Sequence, residues 1–146
     1  MQLVIKKFDE LSTTELYKIL QLRVDVFVVE QNCPYPELDD KDQNAYHIYL
    51  QENDEIQAYL RVLAPGVSFE EASVGRVIAK KRRCGLGSKI LAEAIKLAEE
   101  VFETDIRIEA QTYAVPFYKN FDFVVVSEEF LEDGIPHVQM LHKKSL

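Results

Sequence analysis

The chain is expected to fold as one α/β domain of the α+β kind, residues 1–146, with the element order β-α-β-β-β-α-β-α-β-β. Three observations carry this expectation. Five short segments, 2–8, 46–52, 56–63, 73–79 and 106–110, read as strands bounded by turn residues. Two longer stretches, from Leu16 to Phe27 and from Gly87 to about residue 100, repeat their apolar residues at helical spacing. Two β-rich segments near the end, 123–130 and 135–142, flank Asp133-Gly134, a dipeptide suited to a hairpin turn.

Each element has a local cause. Residues 2–8 alternate as a first strand. Ser12-Thr13-Thr14-Glu15 is a capping box, with Leu11 and Leu16 placed for a hydrophobic staple, so a helix starts there. Ile19, Leu20, Arg23, Val24 and Phe27 continue it, and the β-branched residues toward Val29 weaken its end. Pro34, Pro36 and a run of acids to Asp42 make a loop. In the next two strands Tyr46, Ile48 and Leu50 share one face, and Ile56, Ala58, Leu60 and Val62 another. The helix after Gly87 buries Ile90, Leu91, Ala94, Ile95 and Ala98 and exposes Lys89, Glu93, Lys96 and Glu100. A short helix over about 113–120 tolerates Pro116 because it lies in the first turn.

Composition narrows the function. A length of 146 residues with 47% hydrophobic content suits one sizeable core. No apolar run approaches the roughly 18–20 residues that span a bilayer, and the start lacks the apolar core of a signal peptide. Cys33 and Cys84 are too few for a disulfide framework, which points to a reducing, cytoplasmic compartment. Neither they nor the three histidines have metal-ligand spacing, so no metal is expected. A net charge of −8 argues against broad nucleic-acid binding and favours a cationic substrate such as an amine.

Against that charge, the basic run Lys80-Lys81-Arg82-Arg83 stands out. It follows the apolar Val77-Ile78-Ala79 and leads through Cys84-Gly85-Leu86-Gly87-Ser88 into a helix. Strand, glycine turn and helix N-terminus make an anion site, because free N–H groups and the helix dipole both favour phosphate. A dinucleotide fingerprint fails at Ile90, where a third small residue belongs, and the spacing excludes a P-loop. A localisation or nucleic-acid patch is disfavoured by the folded turn and the acidic surroundings.

Arg82-x-x-Gly85-x-Gly87 resembles the acyl-CoA pyrophosphate loop of the GNAT N-acetyltransferases, and Gln111-x-x-Ala114-x-x-x-Tyr118-x-x-x-Asp122-Phe123 is similar to their second block. The segment 22–36, with Val28-Val29-Glu30-Gln31 and Pro34-Tyr35-Pro36, and the segment 131–137 resemble the ElaA-like subgroup. Three positions depart from the usual pattern: Arg83 and Asp122 stand where glycine is common, and Gln111 where asparagine is. The resemblance implies a mostly antiparallel sheet, flanked by helices and splayed between the fourth and fifth strands, with an acyl-CoA lying in the splay. It implies acetyl transfer from acetyl-CoA to a primary amine by direct attack in a ternary complex. A non-catalytic acyl-CoA-binding sensor is the alternative.

The implied cofactor-binding residues are Val77, Ile78 and Ala79, offering backbone groups to the pantetheine arm; Arg82, Arg83, Cys84, Gly85, Leu86, Gly87 and Ser88 around the pyrophosphate; and Gln111, Ala114 and Tyr118. In the family, the tyrosine matching Tyr118 protonates or hydrogen-bonds the departing thiolate. The general base is open among Glu30, Glu109 and His137. Arg23, Arg61 and Arg76 sit in otherwise apolar elements and need acidic partners, with Asp25, Glu30 or a loop acid available. The acceptor amine is left open, and the edge of the last hairpin offers a contact for a homodimer.

Overall fold

The computed structural model describes residues 1–80 and 85–145. In chain order its elements are β1 (Gln2–Lys7), α1 (Thr13–Arg23), β2 (Ala45–Glu52), β3 (Glu55–Leu63), β4 (Ser73–Ala79), α2 (Leu86–Leu97), β5 (Ile106–Gln111), α3 (Val115–Lys119), β6 (Phe123–Val125), β7 (Phe130–Glu132) and β8 (Ile135–His142). Two antiparallel sheets form. One has the order β1-β2-β3-β4; in the other β8 lies between β5 and β6 and also pairs with β7.

The capping box forms as the sequence predicts. Ser12 Oγ accepts from the Glu15 amide at 3.1 Å, and Glu15 Oε1 accepts from the Ser12 amide at 2.8 Å. Past Arg23 the helix widens into a π-type turn over Val24–Glu30, where valines crowd the preceding turn. The second helix ends in the same way, over Ala98–Phe102.

Each face of the first sheet has its own core. Ile90, Leu91, Ala94 and Ala98 pack with Ile48, Leu50, Leu60, Ile106, Ile108 and Met140. On the opposite face Ile19 and Leu22 of α1 pack with Val4, Tyr49, Ile56, Tyr59 and Ile78. This corrects one expectation: Ile56 does not share a face with Ala58, Leu60 and Val62. Leu50 pairs with Ala58 but Gln51 with Ile56, so Gln57 is an extra residue and the strand changes face there.

The C-terminal hairpin is also corrected. Its first arm is two strands, β6 and β7, and residues 126–129 bulge between them. Phe123 pairs with His142 and Phe130 with His137, while Ser127 Oγ accepts from the Gln139 amide at 2.8 Å across the bulge.

Two features open the fold where a site can sit. The sheets meet through a parallel bridge between Ala72 and Ile106, with the Arg107 amide donating to the Ala72 carbonyl at 2.9 Å; beyond it β4 and β5 diverge. Within β4, Gly75 pairs with Arg61 and Ile78 with Tyr59, so Arg76 and Val77 together face Leu60. Arg76 takes φ 54°, a left-handed conformation that costs a non-glycine residue roughly 1–2 kcal/mol.

Acid should loosen this fold. Burial opposes the charge of Glu15, but the Ser12 amide, Tyr49 and Lys6 outweigh it and hold the carboxyl at about 2. Desolvation also opposes the charges of half-buried Asp39 and buried Asp42, yet paired arginines hold both below the ordinary carboxylate range. Depressed carboxylates stabilise the folded state fully above their unfolded pKa values of about 4, and that stability is lost as pH falls through the folded values. Urea midpoints should therefore drop steeply from pH 4 to pH 2. A flat profile in that window would contradict these assignments.

Candidate active site

A cavity of about 1490 Å³ runs along the divergence of β4 and β5. Three elements converge at one end. Gly87 of α2 lies against Phe117 of α3 and Ala79 of β4: a Cβ placed on it would stand 3.5 Å from Phe117 Cζ and 3.8 Å from Ala79 Cβ. Gly85 caps α2 with φ 72°, the left-handed geometry that glycine adopts without penalty. Its carbonyl accepts the first helical bond, from the Lys89 amide at 3.0 Å, leaving the N–H groups of Leu86, Gly87 and Ser88 without intrahelical acceptors.

The sequence-predicted residues divide clearly. Val77, Ile78, Ala79, Gly87, Gln111, Ala114 and Tyr118 all line this cavity. The Leu86 side chain is buried in the core and Ser88 is exposed on the first turn of α2, so either would meet a ligand through its backbone. Arg82, Arg83 and Cys84, with Lys81, lie outside the described residues.

Tyr118 is 8% exposed and stands edge-on to Phe117 and Phe123, with ring centroids 5.2 and 5.6 Å away. Burial, with a smaller contribution from Tyr113, pushes its phenol up to about 12, so it stays protonated at neutral pH. Asp122 takes φ 64° in the turn that follows, the conformation a glycine would adopt and that aspartate tolerates.

The three candidate bases also border the cavity, in unequal settings. Glu30 is exposed at the end of the π-type turn. Glu109, on β5, is raised above the ordinary carboxylate range by desolvation and by the Glu132 charge. His137 is 7% exposed, and its Nδ1 lies 2.7 Å from the Ile135 carbonyl. A carbonyl only accepts, so Nδ1 carries the proton, and in the neutral ring Nε2 keeps its lone pair. Glu132 Oε2 is 3.5 Å from that nitrogen.

Buried Arg23 and Arg61 and half-buried Arg76 do find loop acids, and among the described residues Asp25 and Glu30 are not their partners. Arg23 meets Glu37 at 2.9 Å and Asp42 at 2.7 Å, Arg61 meets Asp39 and Asp42, and Arg76 meets Glu37 and Asp39. Glu37 Oε2 serves both Arg23 and Arg76, tying α1 to the β4 bulge. Sequence reasoning names no single loop acid; the density of acids between Pro36 and Gln43 is the signal that could find them. It also passes over Glu132 and Lys41, which line the cavity from β7 and the acidic loop.

The family model described as acetyltransferase (GNAT) domain matches residues 17–144. The chain belongs to the GNAT family. Within that family it is ElaA-like: it is 38% identical to Protein ElaA of Escherichia coli over 137 residues, 90% of each chain. The crystal structure of Escherichia coli ElaA superposes on this GNAT fold with a TM-score of 0.91 at 35% identity, over 97% of this chain and 99% of that one. An acyl-CoA N-acyltransferase from Pseudomonas aeruginosa does so with the same TM-score, at 36% identity and the same coverage. Among the described residues no helix is long and apolar enough to cross a membrane, and no group of three or more His, Cys, Asp or Glu is placed to hold a metal ion.

Proposed function

We propose that the protein transfers an acetyl group from acetyl-CoA to a primary amine by direct attack in a ternary complex. The convergence of bulged β4, the Gly85-capped α2 and Tyr118 on one cavity supports this reading most strongly. The N–H groups of Leu86, Gly87 and Ser88, at the first turn of α2 and without a backbone acceptor among the described residues, suit a pyrophosphate, and the backbone of Val77–Ala79 suits an extended pantetheine arm. Gln111 and Ala114 border the same end.

In the reaction, the amine nitrogen attacks the thioester carbonyl carbon. The C–N bond forms, the C–S bond breaks, and the electron pair leaves on sulfur. The ammonium form must first lose a proton, and the Glu109–His137 wall holds two acceptors for it: a carboxyl of raised affinity and a ring nitrogen with a free lone pair. A β4 amide beside the thioester oxygen would favour the charge that develops there. Tyr118, protonated throughout the neutral range, donates a hydrogen bond to the departing sulfur. Holding both reactants in line supplies much of the remaining acceleration.

Calorimetric titration with acetyl-CoA, then thiol release with a panel of amines, tests this. Micromolar binding with amine-dependent release supports it. Binding with no release from any amine would favour a non-catalytic acyl-CoA sensor, and no binding would overturn both. Within the same titration, Gly87→Leu should weaken acetyl-CoA binding by about tenfold or more, because its branches must enter the space beside Phe117 and Ala79. Gly87→Ala should stay within about threefold, since its Cβ makes ordinary contacts. Equal affinities for Gly87→Leu and the parent would remove the pyrophosphate assignment.

A further inference from the structure

The left-handed residue of β4 is an arginine, and the sheet alone does not account for it. In a regular strand Val74 and Ile78, four residues apart, would share a face. Instead Val74 packs in the core beneath α2 and Ile78 in the core beneath α1, while Val77 and Ala79 pack against the α2 side. The face changes at Arg76 and Val77, neither of which has a partner of its own in the β3–β4 register. An arginine at φ 54° resists this turn, because its Cβ crowds the backbone where a glycine would not. A strained residue of this kind persists only when its surroundings hold it.

The holder is Glu37. It accepts from Arg76 through two atoms, Oε2 from Nε and the main-chain carbonyl from Nη2 at 3.1 Å. The same two atoms accept from Arg23, from Nε at 2.9 Å and from Nη2 at 3.4 Å. The Arg23 side chain is fully buried in α1 and is fixed as well by Asp42 at 2.7 Å. On the facing strand Arg61, the partner of Gly75, is held by Asp39 and Asp42, and Asp39 Oδ2 also lies 3.5 Å from Arg76 Nη2. The Glu37 side chain is buried, so water screens this charge-assisted pairing little. One end of the tether is anchored in a helix core, and the other end is the strained residue.

We infer that Glu37 is a positioning residue for acyl transfer: by holding Arg76 left-handed it aims the Arg76–Val77 backbone at the thioester carbonyl. The inference rests on the acetyl transfer proposed above. Glu37, Arg76 and Val77 all line the cavity, but the Arg76 guanidinium is taken up by Glu37 and Asp39. Arg76 therefore acts through its backbone conformation and not through its charge.

Acetyl-CoA labelled with carbon-13 at the thioester carbonyl reports on this without any amine. A hydrogen bond to the thioester oxygen polarises the carbonyl, so its resonance should move downfield when the parent protein binds the labelled acetyl-CoA. Arg76→Gly should keep that displacement, because glycine takes the left-handed conformation freely, and Arg76→Ala should lose most of it. Both substitutions remove the same ion pairs, so loss of pairing alone would affect them alike. Glu37→Ala should also lose most of the displacement, and adding Arg76→Gly to Glu37→Ala should restore it. Acetyl-CoA affinity should stay within about threefold throughout, since the turn at Gly85–Ser88 is untouched. Should Glu37→Ala not fold, Glu37→Gln takes its place, with a smaller loss because its amide oxygen still accepts. Equal loss in Arg76→Gly and Arg76→Ala would make the guanidinium itself the contact and overturn the inference. A full displacement in Arg76→Ala or in the Glu37 variant, or none in the parent complex, would overturn it too and leave acetyl-CoA binding standing. Failure of the parent to bind acetyl-CoA would overturn the acetyl transfer itself.

Discussion

Arg23→Met should lower the stability of the fold by about 3–5 kcal/mol, read as a shift in urea midpoint with little change in slope. The Arg23 side chain is fully buried, and its guanidinium is shared between Glu37 and Asp42, which are themselves 8% exposed. Methionine fills most of the volume but leaves both carboxylates with one arginine each, Arg76 and Arg61. The loss thus comes from uncompensated buried charge and not from a cavity. The double variant Arg23→Met with Asp42→Asn separates the two causes. It should cost clearly less than the sum of the singles, by about 1 kcal/mol or more, because neutralising Asp42 removes part of what Arg23 was balancing. Strict additivity would mean that the pair is not coupled and that packing dominates. Arg76→Met should cost less, since that side chain is 28% exposed and water can take over part of its role.

The regular elements were legible because each was announced locally. The capping box starts α1 where Ser12 and Glu15 place it, and the fourth strand occupies 73–79 as its apolar run predicts. Asp122 adopts the positive φ that its position after the short helix demands. What failed to show in the sequence depends on partners far along the chain. The bulge at Gln57 and the bulge at Arg76 are register faults between strands, and no local period encodes them. Arg76 least resembles a left-handed residue, and its side chain is held from outside, by Glu37 and Asp39 nearly forty residues away.

The candidate site shows the same division. The glycine turn, the β4 strand end and the Gln111–Tyr118 segment are contiguous motifs, and the fold brings them to one cavity. The acidic wall is not contiguous. Glu109, Glu132 and His137 lie on three strands, and they meet because β8 sits between β5 and β7, pairing His137 with Gln111 on one side and with Phe130 on the other. A hairpin drawn from sequence pairs 123–130 with 135–142 but leaves open which strand flanks its other edge, so it cannot place Glu109 near Glu132.

Tyr118→Phe should reduce kcat by about a hundredfold while leaving acetyl-CoA affinity within about twofold. The substitution keeps the ring that stands edge-on to Phe117 and Phe123, so the core beside the cavity is preserved and only the hydroxyl is lost. The phenol lies at about 12, well above a thiol near 8.5, so full proton transfer to the thiolate would be uphill by roughly 3–4 pH units, or about 5 kcal/mol. Its assigned contribution is therefore a hydrogen bond to sulfur as the C–S bond breaks, present in the transition state and weak before it. Two consequences follow for the pH profile of kcat. Tyr118 should produce no ionisation limb below about pH 10, and the phenylalanine variant should keep the shape of the parent profile at a lower height. Thiol-release kinetics from pH 6 to 10 would check both. If kcat were unchanged, the sulfur must be stabilised from another part of the cavity. If the variant instead lost a limb near neutrality, the phenol would have to ionise far below where its burial places it.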